Sequence, residues 1–300
     1  MYERFYGLRE RPFELTPNPR YLFLSPGHSE ALTMLQYGSC RRNGLTLLIG
    51  DAGTRKTTLV RAALEAQRGG NAFSVYVTNP ALTRDEFFEF LAWGFNLSAE
   101  ARTSKSRFLL DLTQSLADRQ AAGGVSALII DEAQCLSDEL LEEVRLLGNI
   151  ESPTEKLLSI ILIGQPELAE RLSAPSMRQL KQRVALRCAL APLGVDEASA
   201  YIATRIRVAG GEWTSIFTRS AVEAVHRGSR GIPRTISVIC ENALISGFAL
   251  QRRPIGPDIV NEVCRDFDLV ERRSEASAAP PAAPQAAPPP AAPPRSFSFL

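Results

Sequence analysis

The sequence predicts an α/β core built on a parallel sheet, followed by an all-helical domain and an Ala/Pro-rich tail. Three observations carry this prediction. Short apolar runs alternate with helical segments over about the first 190 residues, which is typical of strands and helices around a parallel sheet. Four helix-like segments separated by glycine or proline follow. From Ser274 onward the composition changes to Ala and Pro, which favours an extended, disordered segment.

The predicted strands are four apolar runs of strand length in the first part of the chain. They are LTLLIG from Leu45, FSVYVTN from Phe73, VSALII from Val125 and LLSIILIG from Leu157. Helix signals stand between them. Thr83 and Glu86 form a capping-box pattern, and Ser137 followed by two acids predicts another helix start. The helix after the first strand is expected to end at Gly69-Gly70, and Pro166 is expected to open a helix after the fourth strand.

The second part of the chain is predicted to form a small helical bundle. Its segments read DEASAYIATRIRVAGG, TRSAVEAVHRG, IPRTISVICENALISGFAL and PDIVNEVCRDF. The tail ends in SFSFL, which is either a disordered end or a short docking motif on a flexible tether. We therefore expect a core over residues 1–190, a helical lid over 191–270 and a disordered tail over 271–300.

Composition excludes several classes of protein. Lys and Arg number 34 against 33 Asp and Glu, so the overall charge does not indicate a nucleic-acid or membrane-surface protein. Five scattered cysteines without a C-x-x-C pair suit a reducing cytoplasm better than a disulfide framework. The N-terminus has no apolar signal-peptide core, and no apolar run reaches the ~18 residues of a membrane span. We expect a cytoplasmic protein whose membrane association, if any, is made through a partner.

Residues 50–57 read GDAGTRKT and stand between a predicted strand and a predicted helix. The pattern is close to G-x-x-x-x-G-K-[ST], in which backbone N–H groups, a helix N-terminus and one lysine surround phosphate groups. Lys56 is placed to reach the β- and γ-phosphates of ATP, and Thr57 to hold Mg²⁺. The predicted nucleotide-binding residues are Gly50, Asp51, Ala52, Gly53, Thr54, Arg55, Lys56, Thr57 and Thr58. The sequence therefore predicts a P-loop NTPase core.

Two acids follow the third predicted strand and support the same interpretation. Asp131 is predicted to support Mg²⁺ together with Thr57, and Glu132 to polarise the attacking water. Taken alone, these acids are equally consistent with a buried strand followed by surface carboxylates. Their position roughly 75 residues after a phosphate loop, among alternating strands and helices, favours a catalytic role.

Two further polar residues resemble those of AAA+ ATPases. Gln165 follows the fourth strand, where its side chain can contact the γ-phosphate or orient water. Arg234, in the sequence GIPR, stands near the start of a helix of the bundle, like the lid arginine of AAA+ proteins. That resemblance also implies an arginine supplied by a neighbouring subunit. The stretch MRQLKQRVALRC offers candidates for this role, of which Arg183 is favoured over Arg178 and Arg187.

The motifs together resemble the general secretion pathway protein A (ExeA-type) ATPases. The resemblance runs over roughly residues 1–268 and includes FYGLRERPFELTPNPRYLFLSPGHSEAL, IIDEAQ, LEEVRLLGNIES, ILIGQPEL, LKQRV and RGIPRTISVICENAL. It implies an AAA+ ATPase that works as a homo-oligomer with ATP and Mg²⁺ to assemble a bacterial secretion, pilus or polysaccharide-export machine. The larger members carry a transmembrane helix and a peptidoglycan-binding domain after the lid, where this sequence has its Ala/Pro tail.

The tail is one departure from the family, and Arg55 is the second, because the family pattern has glycine at this position. If the backbone there needs a glycine conformation, the strain is of order 1–3 kcal/mol, or roughly ten- to hundredfold in affinity. The guanidinium is expected either to turn away from the loop or to contact phosphate and recover part of this loss. We expect nucleotide binding that is weakened but retained, with hydrolysis slower than in a glycine-bearing relative.

Two other functions remain open at this stage. A DNA-handling AAA+ regulator has basic support only from Arg41-Arg42 and Arg252-Arg253. A nucleotide-dead scaffold would bind partners through the lid or through SFSFL. Three remaining residues have ordinary structural interpretations: His28 is expected to be a surface or packing residue, and Trp93 and Trp213 to fill apolar contacts.

Overall fold

The computed structural model describes residues 1–15, 19–40, 44–65 and 71–269 of the chain. Its strands are β1 (Leu45–Gly50), β2 (Ala72–Val77), β3 (Val125–Ile130), β4 (Ser159–Gly164) and β5 (Val184–Leu190). Its α-helices are α1 (Tyr2–Tyr6), α2 (Pro26–Cys40), α3 (Lys56–Glu65), α4 (Arg84–Gly94), α5 (Lys105–Ala121), α6 (Asp138–Leu147), α7 (Pro166–Arg171), α8 (Arg178–Lys181), α9 (Val195–Val208), α10 (Arg219–Ser229), α11 (Pro233–Ala249) and α12 (Pro257–Asp266).

The five strands form one parallel sheet in the order β2-β3-β4-β1-β5. The predicted α/β fold with a parallel sheet and C-terminal helices is thus confirmed. Because parallel strands run in one direction, the residues that follow them meet at one edge of the sheet. β4 lies between β1 and β3, so the residue after β4 stands between the loop after β1 and the acids after β3.

Burial separates the centre of the sheet from its edges. β1 and β4 are buried along their whole length, which matches the continuous apolar runs that predict them. β2 and β5 lie at the edges, and their residues alternate between more and less buried positions. β5 is missing from the predicted strands because this alternation, with Arg187 exposed, interrupts its apolar run.

Helices cover both faces of the sheet. Leu47 belongs to the same buried cluster as Phe87 of α4. The next residue, Leu48, points the other way and belongs to a second cluster with Leu35 of α2 and Leu59 of α3. Burying a leucine side chain stabilises a fold by roughly 1.5–3 kcal/mol. The central strands therefore contribute burial on both faces, which holds their carboxyl ends firmly in place.

The helices α9–α12 correspond to the four predicted helical segments and share a third buried cluster. This cluster also contains Tyr2, Tyr6 and Phe13 from the start of the chain. Residues 1–269 form one compact unit. The division into a core over 1–190 and a lid over 191–270 stays a prediction, while the tail over 271–300, Gly69-Gly70 and Arg41-Arg42 lie outside the described residues.

Local helix signals occur where the sequence predicts them. Thr83 and Glu86 form the capping box of α4, and the Ser137 hydroxyl accepts from the N–H of Leu140 at the start of α6. Pro166 is the first residue of α7. Over the ranges that the structure describes, no helix has the length and apolar character needed to cross a bilayer.

Candidate nucleotide site

The predicted phosphate loop connects β1 to α3, as the motif requires. Its two glycines are tightly packed. A Cβ on Gly50 would lie 2.8 Å from the Thr54 hydroxyl oxygen. Gly53 has a φ of +85° and its position would bring a Cβ within 2.9 Å of the Arg234 Cβ. Only glycine meets both demands at position 53, so the loop path depends on it.

Lys56 is buried and bends back onto its own loop. Its Nζ donates to the carbonyl oxygens of Gly50 at 2.6 Å and Asp51 at 3.0 Å. Burial lowers the pKa of Lys56, while the carboxylates of Glu132 and Asp131 act in the opposite direction. The lysine therefore places a positive charge beside the loop backbone, near two acids, where it could bind a polyphosphate.

Thr57 and Asp131 are in direct contact across the sheet edge. The Thr57 hydroxyl donates to Asp131 Oδ2 at 2.7 Å, and the Tyr76 hydroxyl of β2 donates to the same oxygen at 2.9 Å. The Asp131 N–H donates to Val77 O at 2.9 Å, which ties its backbone to the neighbouring strand. Burial first, and then the charge of Asp131, raises the pKa of Tyr76, so this phenol stays protonated and keeps donating.

Glu132 is held by amide groups from two strand ends. Its Oε2 accepts from Gln134 Nε2 at 2.5 Å and from Gln165 Nε2 at 3.4 Å. Its φ of +50° is unusual for a residue with a side chain. Gln134, in the sequence DEAQ, was missed by the sequence interpretation. Its signal is its place as the last residue of IIDEAQ, one of the motifs that carry the family resemblance.

Arg234 brings the helical region onto the phosphate loop. Its backbone N–H donates to the Gly53 carbonyl oxygen at 3.2 Å, next to the start of α11. A cavity of about 310 Å³ is lined by Leu15, Ala52, Gly53, Arg55, Lys56, Thr57, Thr58, Glu132 and Arg234. Six of the predicted loop residues thus line the same space as Glu132 and Arg234. Asp131 and Gln165 do not line this cavity, but each is hydrogen-bonded to a residue that does: Asp131 to Thr57, and Gln165 to Glu132.

Arg55 has a left-handed backbone, with a φ of +69°. This conformation costs a residue with a Cβ roughly 1–2 kcal/mol, so the strain expected from the motif is present. The side chain is partly buried. Its Nη2 donates to the hydroxyl of Tyr201 on α9 at 3.4 Å.

A second, narrow pocket adjoins the phosphate cavity through Arg55. It is lined by Tyr21, Leu22, Phe23, His28, Arg55, Thr58, Leu59, Leu193, Tyr201, Arg205 and Pro233. Its free volume is about 20 Å³, which is room for roughly one water molecule. The aromatic and apolar lining beside a phosphate cavity is suited to a nucleoside.

His28 is buried and braces the phosphate loop. One ring nitrogen lies 2.9 Å from the Ser25 hydroxyl oxygen and the other 3.2 Å from the Thr54 carbonyl oxygen. It is therefore a packing residue, as expected, and it also lines the narrow second pocket. Trp213 packs against the helical cluster as expected. Trp93 is 57% exposed, and its ring faces the guanidinium of Arg102, which differs from the apolar packing expected for it.

Arg183 lies at the amino ends of the strands, whereas the phosphate loop of its own chain lies at their carboxyl ends. It immediately precedes Val184, which pairs with Leu45 at the amino end of β1. The six residues of β1 span about 20 Å, so Arg183 cannot serve the site of its own chain. Arg178 and Arg187 are exposed as well. Arg252 and Arg253 are exposed and contact other residues of the helical region: Arg252 pairs with Asp258, and Arg253 Nε donates to the Ser215 carbonyl oxygen.

The comparisons with known proteins agree with this geometry. Residues 40–172 match the AAA domain family. The chain is 42% identical over 250 residues, 83% of its length, to "General secretion pathway protein A" of Aeromonas hydrophila, and it spans 45% of that relative's length. The resemblance inferred from the sequence is thus confirmed.

Solved structures show the same fold at low sequence identity. The Cdc6p structure from Pyrobaculum aerophilum is 19% identical with a TM-score of 0.64, and the match covers 85% of this chain and 70% of that one. The Aeropyrum pernix ORC2 protein is 17% identical with a TM-score of 0.61, covering 86% and 71%. This protein therefore contains an AAA domain and is a relative of general secretion pathway protein A over 250 of its residues.

Proposed function

We propose that this protein binds ATP with Mg²⁺ and hydrolyses it, and that Arg55 makes the binding weak. The single observation that supports this proposal is the convergence of Lys56, Glu132 and Arg234 on one cavity behind the loop. A lysine, an acid and a second cation around a cavity of about 310 Å³ match the needs of phosphoryl transfer, in which catalysis is mainly positioning and electrostatic stabilisation.

Thr57 and Asp131 are the proposed Mg²⁺ residues. Both supply oxygen atoms, and they lie 2.7 Å apart. Mg²⁺ prefers oxygen ligands and is commonly bound through one or two carboxylates plus substrate phosphates, so this small donor set fits it. The ion would neutralise phosphate charge during the reaction.

Glu132 is the proposed general base. Water attacks the γ-phosphorus, the bond to the ADP oxygen breaks, and the water proton passes to the Glu132 carboxylate. The amides of Gln134 and Gln165 fix the direction of this carboxylate. Lys56 and Arg234 stabilise the charge on the phosphate oxygens and on the departing ADP.

The test is calorimetric titration with Mg²⁺–ATP, together with phosphate release, on the protein as it stands and on Arg55→Gly. We expect weak binding and slow turnover in the original protein, and affinity about ten- to hundredfold tighter in Arg55→Gly, because glycine removes the side chain that lines both the phosphate cavity and the adjoining narrow pocket. If neither protein bound nucleotide, the scaffold interpretation would replace the ATPase one.

The proposed biological role is assembly of a bacterial envelope secretion, pilus or polysaccharide-export machine, working in the cytoplasm or at the inner membrane through a partner. The name of the Aeromonas relative supports the secretion role. The proposed active form is a homo-oligomer in which Arg183 of one subunit contacts the nucleotide of the next, since it cannot reach its own.

Mixing two inactive variants tests this arrangement. Lys56→Ala lacks a nucleotide site but keeps Arg183, and Arg183→Ala has the reverse defect. We expect each to be inactive alone and their mixture to regain hydrolysis, with analytical ultracentrifugation reporting the assembly. A mixture as inactive as its components, in a sample shown to contain mixed oligomers, would rule out Arg183 as the shared residue. Arg178→Ala is the matched control.

A further inference from the structure

The backbone of Arg55 is fixed, and its side chain has a defined direction. Its carbonyl oxygen accepts from the N–H of Leu59 at 3.0 Å, so it takes part in the first turn of α3. With the backbone held in the left-handed region, the Cβ direction is set. The guanidinium then reaches the helical region across the nucleotide site.

Tyr201, which receives Arg55, is itself held in place. It is buried, and its hydroxyl lies 2.7 Å from the Ser237 hydroxyl and accepts from Arg205 Nη1 at 3.1 Å. Arg205 is anchored in turn, because its Nε donates to the Pro12 carbonyl oxygen at 2.6 Å. The phenol is therefore a fixed point, and the contact with Arg55 joins the phosphate loop to this fixed point.

The space around this contact is too small for a nucleoside. Pockets that bind small molecules measure roughly 300–1,000 Å³, whereas the free volume between Tyr21, Phe23, Tyr201 and Arg55 is about 20 Å³. Arg55 lines this pocket and the phosphate cavity alike. A nucleoside attached to phosphates in the cavity would need the volume that the Arg55 side chain occupies.

We propose that Arg55 and Tyr201 form an internal latch that competes with the nucleoside of the bound nucleotide. Nucleotide enters only when the guanidinium leaves Tyr201, and Tyr201 therefore determines affinity although it lies on the helical region. This inference rests on the proposed function, because it assigns a competing contact within that same site. It is separate from the backbone strain at Arg55, which a change at Tyr201 leaves in place.

The experiment is a double-mutant cycle on Mg²⁺–ATP affinity, measured by calorimetry on the full chain. The four proteins carry Arg55 or Arg55→Gly, each with Tyr201 or Tyr201→Phe. With Arg55 present, Tyr201→Phe should tighten binding by about two- to tenfold, the effect of removing one hydrogen bond that opposes binding. With Arg55→Gly the same change should have a smaller effect or weaken binding, because no latch remains to be released.

Equal effects of Tyr201→Phe in both backgrounds would overturn the latch while leaving the ATPase proposal in place. Absence of binding in all four proteins would overturn the proposed function and the latch with it. Ser237→Ala is the control, since it removes a different hydrogen bond of the same hydroxyl. It should not tighten binding, and tightening equal to that of Tyr201→Phe would contradict the role of Arg55. Circular dichroism and thermal unfolding confirm that each variant is folded.

Discussion

The sheet edge and the helical region both contact the candidate nucleotide site, but they hold their residues in different ways. Asp131 and Glu132 directly follow a strand buried on both faces, and Asp131 is bonded to β2 through Val77. The helical region approaches through Arg234, at the start of α11, and through Tyr201 on α9. Asp131 and Glu132 are thus fixed by the sheet, whereas Arg234 and Tyr201 belong to a region with its own buried cluster. Variants at the sheet edge should therefore reduce turnover, and variants on the helical side should mainly change affinity.

The largest effect is expected from Lys56→Ala, at the sheet edge. It removes the buried cation of the loop, so hydrolysis should fall by about 10³-fold, the scale for loss of one preorganised electrostatic group. Nucleotide binding should weaken strongly at the same time. Phosphate release and calorimetry measure both quantities, with the exposed Lys181→Ala as control. Unchanged envelope assembly in cells carrying Lys56→Ala would favour the scaffold interpretation.

Glu132→Gln should separate turnover from binding most sharply. Loss of the general base should slow hydrolysis about 10²-fold or more, while ATP affinity should change little because the phosphate contacts remain. Single-turnover hydrolysis with labelled ATP, beside a binding titration, measures the difference. Glu262→Gln, at an exposed position of α12, is the matched control. Equal losses of binding and turnover would mean that Glu132 holds the site together structurally instead of acting as a base.

Arg234→Ala should give the smallest of these effects, on the helical side. Arg234 lines the cavity, and a charge-assisted contact is worth about 1.5–3 kcal/mol, so affinity should fall roughly ten- to hundredfold. The backbone bond from position 234 to Gly53 should survive, since it does not involve the side chain. Titration with Mg²⁺–ATP checks this, with Arg219→Ala as the surface control. A loss of turnover without loss of affinity would place Arg234 with the chemical residues and break the comparison.

Much of the fold and of the site is predictable because it depends on patterns of residues that are close together in the sequence. The central strands are continuous apolar runs, the helix starts carry capping residues, and the loop from Gly50 to Thr58 is one contiguous motif. Edge strand β5 escapes prediction because exposed residues alternate with its buried ones. Gln134 escapes because an amide near an acid has no distinguishing spacing. Its role depends on β4 bringing Gln165 beside Glu132.

The sequence by itself determined the P-loop class, the identity of the candidate chemical residues and the departure at Arg55. Tertiary structure alone decided where the Arg55 guanidinium lies, because its partner Tyr201 is 146 residues away. It also decided that Arg183 lies at the end of the strands opposite the phosphate loop, since that depends on the pairing of β5 with β1. The physical reason is the same in both cases. Local backbone chemistry follows from neighbouring residues, whereas contacts between distant segments are chosen by how the sheet and the helical region pack.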